Sequence, residues 1–297
     1  MSEFAIETSD LRKTYSDGAD ALRGLALQVP AGSIFGFLGK NGAGKTTTIK
    51  VLLGMTHPTG GDARVFGLRA TDSAASVAIR RRTGFVSEEK DLYDSMTVQE
   101  IIRFTAAFYP TWRADFETRY RRAFDLPEGR KVKKLSHGMR TKLALLLALC
   151  RGADLLVLDE PLSGLDPASN EDVLQALVRH VADEGTTVFF SSHQLADIDQ
   201  IADHVAVVDR GRTIVSGALD DIRDRHRRIQ IVFDGDAPAL SFRTPGVIRT
   251  RREGRVLTVF ASGGADAIAA EARSANAVAV DVLPLTLKEI FLESVNA

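Results

Sequence analysis

The stretch Gly39-Lys40-Asn41-Gly42-Ala43-Gly44-Lys45-Thr46 lies between a short apolar run and a run with helical periodicity. It fits G-x-x-x-x-G-K-[ST], the pattern of a phosphate-binding loop. Residues 33–38 before it predict a buried strand, and residues 46–53 after it predict a helix with an apolar face. Because the loop ends at a helix N-terminus, its unpaired amides and the partial positive charge there predict a site for phosphate.

The residue types of this loop suggest separate roles in holding a nucleotide. We assign the Lys45 ammonium to the β- and γ-phosphates and the Thr46 hydroxyl to the Mg ion that bridges them. Glycines let the backbone come close to the ligand. The loop residues assigned to nucleotide binding are Gly39, Lys40, Asn41, Gly42, Ala43, Gly44, Lys45, Thr46 and Thr47.

The composition is that of a globular protein with room for a large domain and a small one. Its 297 residues are 44% hydrophobic and 26% charged, and the net charge of −1 excludes a global attraction to nucleic acid or anionic membrane. The basic clusters at 80–82, 130–134 and 223–228 contain no aromatic platform, which favours solvated surface over nucleic-acid contact.

Neither a membrane span nor an internal disulfide is expected from the sequence. The longest strongly apolar run, 143–150, is shorter than the roughly 20 residues that cross a bilayer. Residues 1–7 lack the basic start and apolar core of a secretion signal. The single cysteine, Cys150, excludes a disulfide within the chain and favours a reducing cytoplasm.

Two carboxylates follow the apolar run at 154–158. The carboxyl edge of the strands is where an α/β sheet binds its ligands, and an Asp at this place in P-loop enzymes holds Mg. We therefore assign Asp159 to Mg and Glu160 to polarisation of the attacking water. The alternative, an acid pair that caps the next helix, is disfavoured by the phosphate loop in the same chain.

For two further residues the sequence leaves alternatives open. His193 ends the predicted strand 186–193, where it could donate a hydrogen bond to the γ-phosphate or cap the helix that begins at Gln194. Tyr15 lies about two dozen residues before the loop, where it could stack on a nucleotide base or fill a strand end.

A helical segment separates the loop from the strand at 154–158. Helical periodicity extends from 97 to about 124, and Pro110 is expected to end its first helix. The apolar residues spaced to line one face of that helix are Val98, Ile101, Ile102, Phe104 and Phe108. A further helix opens at residues 135–140 with Ser136 as its N-cap, and its apolar stripe continues to Cys150.

Strands and turns fill the rest of the chain. Residues 4–8, 25–29 and 63–67 predict strands, with a turn at 57–62 before the third, and residues 206–217 predict a hairpin joined at Arg210-Gly211. Beyond 219 the pattern predicts a strand at 229–233, a hairpin of 247–250 with 255–260 about Glu253-Gly254, a helix at 265–275, a strand at 278–282 and a helix at 286–295.

In this order the motifs resemble the ATP-binding subunit of an ABC transporter over about the first three quarters of the chain. Residues 155–160 resemble Walker B, residues 163–166 resemble the D-loop that ends in Asp166, and residues 135–139 stand at the signature. His193 falls at the switch histidine and Tyr15 at the adenine-stacking aromatic, so the resemblance favours the nucleotide role for both.

The resemblance implies an α/β fold, a P-loop NTPase of ABC type in residues 1–218. It comprises a RecA-like core, an antiparallel β subdomain and a helical subdomain at about 88–150. Residues 219–297 are then a small C-terminal α/β module, and residues 283–292 are similar to the tail of one exporter branch. That module would support dimerisation, contact a partner, or serve only as a structural cap.

The resemblance also implies partners and a mechanism. Two ATPase subunits, identical or paralogous, would form a sandwich that binds ATP and Mg between the Walker motifs of one and the signature of the other. The signature residues acting across that dimer are Ser136, His137, Gly138 and Met139. The pair would power export through an integral membrane permease at the cytoplasmic face of the membrane, with no nucleic acid involved.

The sequence departs from the family pattern at two sites. His137 and Met139 replace a glycine and a glutamine of the signature, and an imidazole beside the γ-phosphate would weaken closure or make it pH-dependent. Glu88 stands at the Q-loop glutamine; a carboxylate can accept from water or approach Mg but cannot donate. We count Glu88 with Glu160 and His193 as catalytic candidates. The paired acids at positions 88 and 89 resemble the pattern at this loop in ABC exporters of drugs, peptide antibiotics or ions.

Two other functions are compatible with an ABC-type ATPase. One is a soluble ATPase acting on ribosomes or DNA; such relatives usually fuse two domains or carry long coiled coils, and this sequence shows neither. The other is a regulatory subunit that hydrolyses ATP weakly, which the altered signature favours slightly.

Overall fold

A computed structural model describes residues 3–295, and the chain divides into two compact units between Thr213 and Ile214. The strands up to this boundary are β1 (Phe4–Thr14), β2 (Asp20–Pro30), β3 (Ile34–Leu38), β4 (Gly60–Val65), β5 (Leu68–Arg69), β6 (Thr83–Val86), β7 (Leu155–Leu158), β8 (Thr187–Ser192), β9 (His204–Asp209) and β10 (Arg212–Ala218), the last of which runs across it. The helices are α1 (Lys45–Leu52), α2 (Ser73–Arg82), α3 (Val98–Ala106), α4 (Ala114–Ala123), α5 (His137–Leu149), α6 (Pro167–Glu184) and α7 (Leu195–Ile201), with a 3-10 turn at Val132–Lys134.

A six-stranded sheet of order β10-β9-β3-β8-β7-β6 carries the site. Strands β3, β7 and β8 are buried along their whole length and pair in parallel, as expected for strands covered on both faces. The ends of these strands are in register: Leu38 lies beside Ser192, and Leu158 beside Val86 and Phe190. The loops that follow β3, β6, β7 and β8 therefore leave the same edge of the sheet.

A second, four-stranded sheet of order β2-β1-β4-β5 lies in the first unit. Strand β2 alternates buried and exposed residues from Leu25 to Val29, so that one of its faces joins the core, and β1 pairs with it antiparallel with several register shifts. Leu22, Leu25 and Leu27 of β2 pack in the same hydrophobic cluster as Phe35 and Phe37 of β3. This shared core holds the antiparallel sheet against the strand that leads into the phosphate loop.

The helical segment differs from the sequence prediction in two respects. Helix α3, which begins with a capping box between Thr97 and Glu100, ends at Ala106 and not at Pro110. Phe104 and Phe108 are 39% and 64% exposed, although the pattern placed them on the same face as the buried isoleucines. Helical spacing cannot separate a buried stripe from an exposed aromatic cluster that continues it.

Two elements at the start of the chain were wrongly bounded or missed. Strand β4 begins at Gly60, within the stretch predicted to be a turn. Helix α2 was not predicted, because only Ser76 and Ile79 of its ten residues are buried and it ends in three arginines. A helix that buries so little has no apolar stripe to reveal it.

The second unit contains helix α8 (Leu219–Arg225), strands β11 (Arg227–Val232), β12 (Val247–Glu253), β13 (Val256–Ala261) and β14 (Ala279–Pro284), and helices α9 (Ala265–Ser274) and α10 (Leu287–Val295). The sheet has order β12-β13-β11-β14 and all its pairs are antiparallel. Apolar residues of β11, β13 and α9, including Ile229, Val259 and Ile268, form its own core. The elements predicted after residue 219 are present, with β12 three residues longer than expected.

A buried histidine joins α6 to the helical segment. The His180 Nδ1 atom lies 3.3 Å from the Tyr120 hydroxyl. Its ring meets Phe116 edge-on at 5.2 Å between centroids. Burial lowers the pKa of His180 to about 4, so the imidazole is neutral in the folded protein at neutral pH.

This burial predicts a pH-dependent loss of stability. Between pH 6.5, the ordinary pKa, and pH 4, the unfolded chain binds a proton at His180 that the folded chain excludes. The free energy of unfolding should therefore fall as the pH falls through this window, by up to about 3 kcal/mol. Urea unfolding at pH 7 and pH 4.5 should show this extra loss in the wild type and not in His180→Gln. The exposed His57, changed to Gln, is the control, and an equal acid loss in wild type and His180→Gln would contradict the prediction.

Candidate functional site

The phosphate loop runs from the central strand β3 into α1. The Gly39 amide donates to the Ser192 carbonyl at 3.1 Å, which ties the loop to the end of β8. Gly44 is the N-cap of α1, with φ 106° and no side-chain cap. A Cβ at Gly44 would lie 2.7 Å from the Ala21 carbonyl oxygen, so only glycine fits there. The first turn of α1 is consequently left open to an anion.

Lys45 is fixed at the base of this loop with only 6% of its surface exposed. Its Nζ donates to the carbonyls of Gly39 at 2.7 Å and Lys40 at 3.3 Å. The same Nζ lies 3.1 Å from Oε1 of Glu160, as an ion pair without hydrogen-bond alignment. The structure thus brings together Lys45, which the sequence assigned to phosphate binding, and Glu160, which it assigned to polarisation of the attacking water.

Glu160 is held on both its backbone and its side chain. It has a left-handed backbone, with φ 47°. Its amide donates to the Ser191 Oγ at 2.9 Å, and its carbonyl accepts from the Lys90 Nζ at 3.0 Å. Its Oε2 accepts from the His193 Nδ1 at 2.8 Å. His193 therefore contacts the acid rather than capping α7, whose N-cap is Gln194.

Asp159 offers a donor set that fits Mg. It is buried, and its Oδ1 accepts from the Ser191 Oγ at 2.6 Å. In the part of the chain that the structure describes, no three His, Cys, Asp or Glu side chains cluster as a metal site. Mg prefers oxygen ligands and is commonly held by one or two protein groups plus substrate phosphates. A carboxylate and the Thr46 hydroxyl suit that arrangement.

A cleft of about 420 Å³ opens over the loop, within the range of small-molecule sites. Its lining includes Tyr15, Asn41, Gly42, Gly44, Lys45, Thr46, Thr47, Glu88 and Glu160. Tyr15 is 38% exposed and its hydroxyl lies 3.2 Å from the Thr47 Oγ1, so it does not fill a strand end. Glu88 is exposed in the cleft wall.

The signature residues and Asp166 do not line this cleft. Ser136 caps α5 as predicted, with its Oγ accepting from the Met139 amide at 3.2 Å. Asp166 caps α6 and accepts from the Ser169 amide and hydroxyl, which lower the pKa of its carboxyl. The His137 ring is hydrogen-bonded to the Ser163 carbonyl of its own chain; its place beside the γ-phosphate of a second subunit's nucleotide stays a prediction. Within one chain, the signature is thus not part of the cleft that the phosphate loop lines.

Three residues around Glu160 escaped the sequence reasoning: Lys90, Ser191 and Asp197. Lys90 is 4% exposed, and burial lowers its pKa although Glu88, Asp159 and Glu160 act in the opposite direction. Asp197 accepts from the Ser192 Oγ at 2.8 Å, and burial raises its pKa. The polar end of strand 186–193 was a usable signal for Ser191. Lys90 is a lysine in an acidic loop and Asp197 an acid in a helix, and neither position shows a comparable signal in the sequence.

Comparison with known proteins agrees with this geometry. A family model described as ABC transporter matches residues 22–163. The daunorubicin/doxorubicin resistance ATP-binding protein DrrA of Streptomyces peucetius is 39% identical over 228 residues, covering 74% of this chain and 67% of that protein. The chain belongs to the ABC transporter ATP-binding proteins.

Two further matches extend this family assignment. The bacitracin transport ATP-binding protein BcrA of Bacillus licheniformis is 33% identical over 75% of this chain and 72% of its own length. A solved ATP-binding subunit of an ABC transporter is 30% identical, with a TM-score of 0.66 over 74% of this chain and 92% of that one. The family and fold expected from the motifs are confirmed, and the family hydrolyses ATP. Among residues 3–295, no helix has the length and hydrophobicity that crossing a membrane requires.

Lys90 provides a test of how the acid is positioned. Lys90→Met keeps the buried volume but removes the donor to the Glu160 carbonyl, so kcat should fall roughly tenfold, as for one charge-assisted hydrogen bond. The melting temperature should stay equal or rise, since a buried charge is removed. Lys50→Met, on the exposed side of α1, is the matched control. Wild-type ATPase kinetics in Lys90→Met would show that the contact has no catalytic consequence.

Proposed function

We propose that this chain is the ATP-hydrolysing subunit of an exporter and that Glu160 polarises the attacking water. The observation that carries the proposal is the Glu160 carboxylate, fixed 3.1 Å from the Lys45 Nζ and 2.8 Å from the His193 Nδ1. This carboxylate forms part of the wall of the cleft that the phosphate loop lines. A carboxylate positioned at two points meets the geometric need of a general base beside bound phosphate.

Residues in and beside the cleft then have separate roles in the hydrolysis. Lys45 and the amides of the loop hold the β- and γ-phosphates, and Tyr15 stacks on the base. Thr46 and Asp159 hold Mg, which when bound neutralises charge on the phosphate oxygens. As water attacks the γ-phosphorus, Glu160 takes its proton and the bond to the leaving ADP oxygen breaks. His193 keeps the carboxylate oriented, and Glu88 adjusts the negative charge near the metal.

The site is completed by a second ATPase subunit, identical or paralogous. Ser136 and Gly138 lie outside the cleft of their own chain, so they are available to the nucleotide of another copy. The first turn of α5 begins at this segment and directs a partial positive charge there. Solved cassettes that share this fold include a dimer and a component of a transporter complex.

Blocking the general base tests both the acid and the dimer. Glu160→Gln keeps the shape of the side chain but cannot take a proton, so hydrolysis should fall by roughly 10² to 10⁴ while ATP still binds. Because ATP then persists, size exclusion with ATP and Mg should show a dimer, and the same variant without ATP should elute as a monomer. A variant that stays monomeric with bound ATP would rule out the sandwich.

We further propose that a permease docks on an aromatic patch of the helical segment, formed by Tyr93, Phe104 and Phe108. All three are exposed, and their rings meet edge-on at 5.5 and 5.1 Å between centroids. Nearby, a groove is lined by Leu92 and Thr105 and also by Lys90. A partner that presses on this groove would act on Glu160 through the Lys90 hydrogen bond.

The names of two relatives support export as the process that this chain drives, and we propose that it acts at the cytoplasmic face of the membrane. Their names concern drug resistance and bacitracin transport, and both relatives are ATP-binding proteins that resemble this chain over about three quarters of its length. We therefore propose an integral membrane exporter as the partner.

The aromatic patch can be tested by co-purification in mild detergent. Phe104→Ala with Phe108→Ala should lose the membrane protein and its stimulation of ATPase activity, while the basal rate of the purified subunit stays within about twofold, because exposed substitutions rarely perturb a fold. Val178→Ala, an exposed apolar residue on α6, is the control. Retention of the permease by the double variant would exclude the patch, and recovery of ribosomes or DNA instead would favour the soluble alternative.

A further inference from the structure

A hydrogen bond joins the signature segment (residues 135–139) to the D-loop segment (residues 163–166) of the same chain. The His137 Nε2 lies 2.9 Å from the carbonyl oxygen of Ser163. A carbonyl can only accept, so the proton is on Nε2 and His137 is the donor. The sequence has histidine where the family pattern has glycine, and glycine has no side chain to make this contact.

The two segments also touch through small residues beside this bond. A Cβ on Gly164, which has φ 71°, would lie 3.4 Å from the His137 Nε2. A Cβ on Gly138 would lie 3.1 Å from the Ser169 Oγ, on the first turn of α6. One helical turn further along α5, the Lys142 Nζ donates to Asp172 of α6 at 2.7 Å. The beginnings of α5 and α6 therefore pack as one body, with His137 at its end.

The D-loop end of this contact leads directly to the catalytic acid. The Ser163 amide donates to the Glu160 carbonyl at 3.3 Å, closing a turn between the two residues. That carbonyl is also the acceptor of the Lys90 Nζ. A displacement of Ser163 is thus transmitted within one turn to the backbone that positions the Glu160 carboxylate.

We propose that His137 couples the two ATP sites of the dimer. The inference rests on the proposed function, in which the signature of each chain contacts the nucleotide of the other. In that dimer, closure of the signature on the partner's nucleotide moves His137, and His137 moves Ser163 and the turn that carries Glu160 of its own site. His137 is a positioning residue, which acts through Ser163 and Glu160.

The test compares ATPase rates over a range of ATP concentrations for wild type, His137→Ala and His137→Gln. The wild type should show a Hill coefficient above 1, because both sites must fill before either is aligned. His137→Ala should lower the Hill coefficient to about 1 and reduce kcat about fivefold, the effect of losing one hydrogen bond. His137→Gln, whose side-chain N–H can replace Nε2, should restore both. The exposed His57→Ala is the matched control.

Dimer formation is measured separately, with each variant combined with Glu160→Gln. His137→Ala should still form the ATP-dependent dimer within about twofold of the wild-type ATP requirement, since Ser136 and Gly138 are unchanged. Unaltered cooperativity in a folded His137→Ala would overturn the coupling. Weakened dimerisation with unaltered cooperativity would also overturn it, by assigning His137 to closure itself. Failure of Glu160→Gln alone to dimerise with ATP would instead overturn the proposed dimer, and the coupling with it.

Discussion

The site depends on how firmly one carboxylate is held. Lys45 from the phosphate loop, His193 from the end of β8 and Lys90 from the loop after β6 all converge on Glu160. These three residues come from different parts of the sequence, and each is tied to a separate strand of the parallel sheet. A shift of any of these strands relative to β7 would change the position of the acid, so the buried sheet is what fixes the chemistry.

The parallel sheet achieves this because its strand ends are in register. The buried, apolar strands β3, β7 and β8 can pair only within a covered sheet. Their carboxyl ends then present the phosphate loop, the acid pair and the histidine side by side. The antiparallel sheet is attached to this frame and contributes Tyr15. The helical segment contributes the signature and the aromatic patch.

Much of this arrangement could be predicted from the sequence, because the phosphate loop and the acid pair are local patterns that follow strongly apolar strands. Their convergence follows from strand parallelism alone. The remaining features depend on packing between distant segments. The burial of Lys90 and the hydrogen bond between His137 and Ser163 both arise from such packing, so neither could be predicted from the sequence. Phe104 and Phe108 keep the helical spacing of core residues, and only tertiary structure shows that they remain exposed.

The left-handed backbone of Glu160 sets stability against activity at this position. A residue with a Cβ at φ 47° is strained by roughly 1 kcal/mol or more relative to glycine. Glycine would relieve this strain and would leave the chain without the general base that we propose. Selection for a more stable fold alone would therefore favour glycine at position 160. The acid is retained at this position only while hydrolysis itself is under selection.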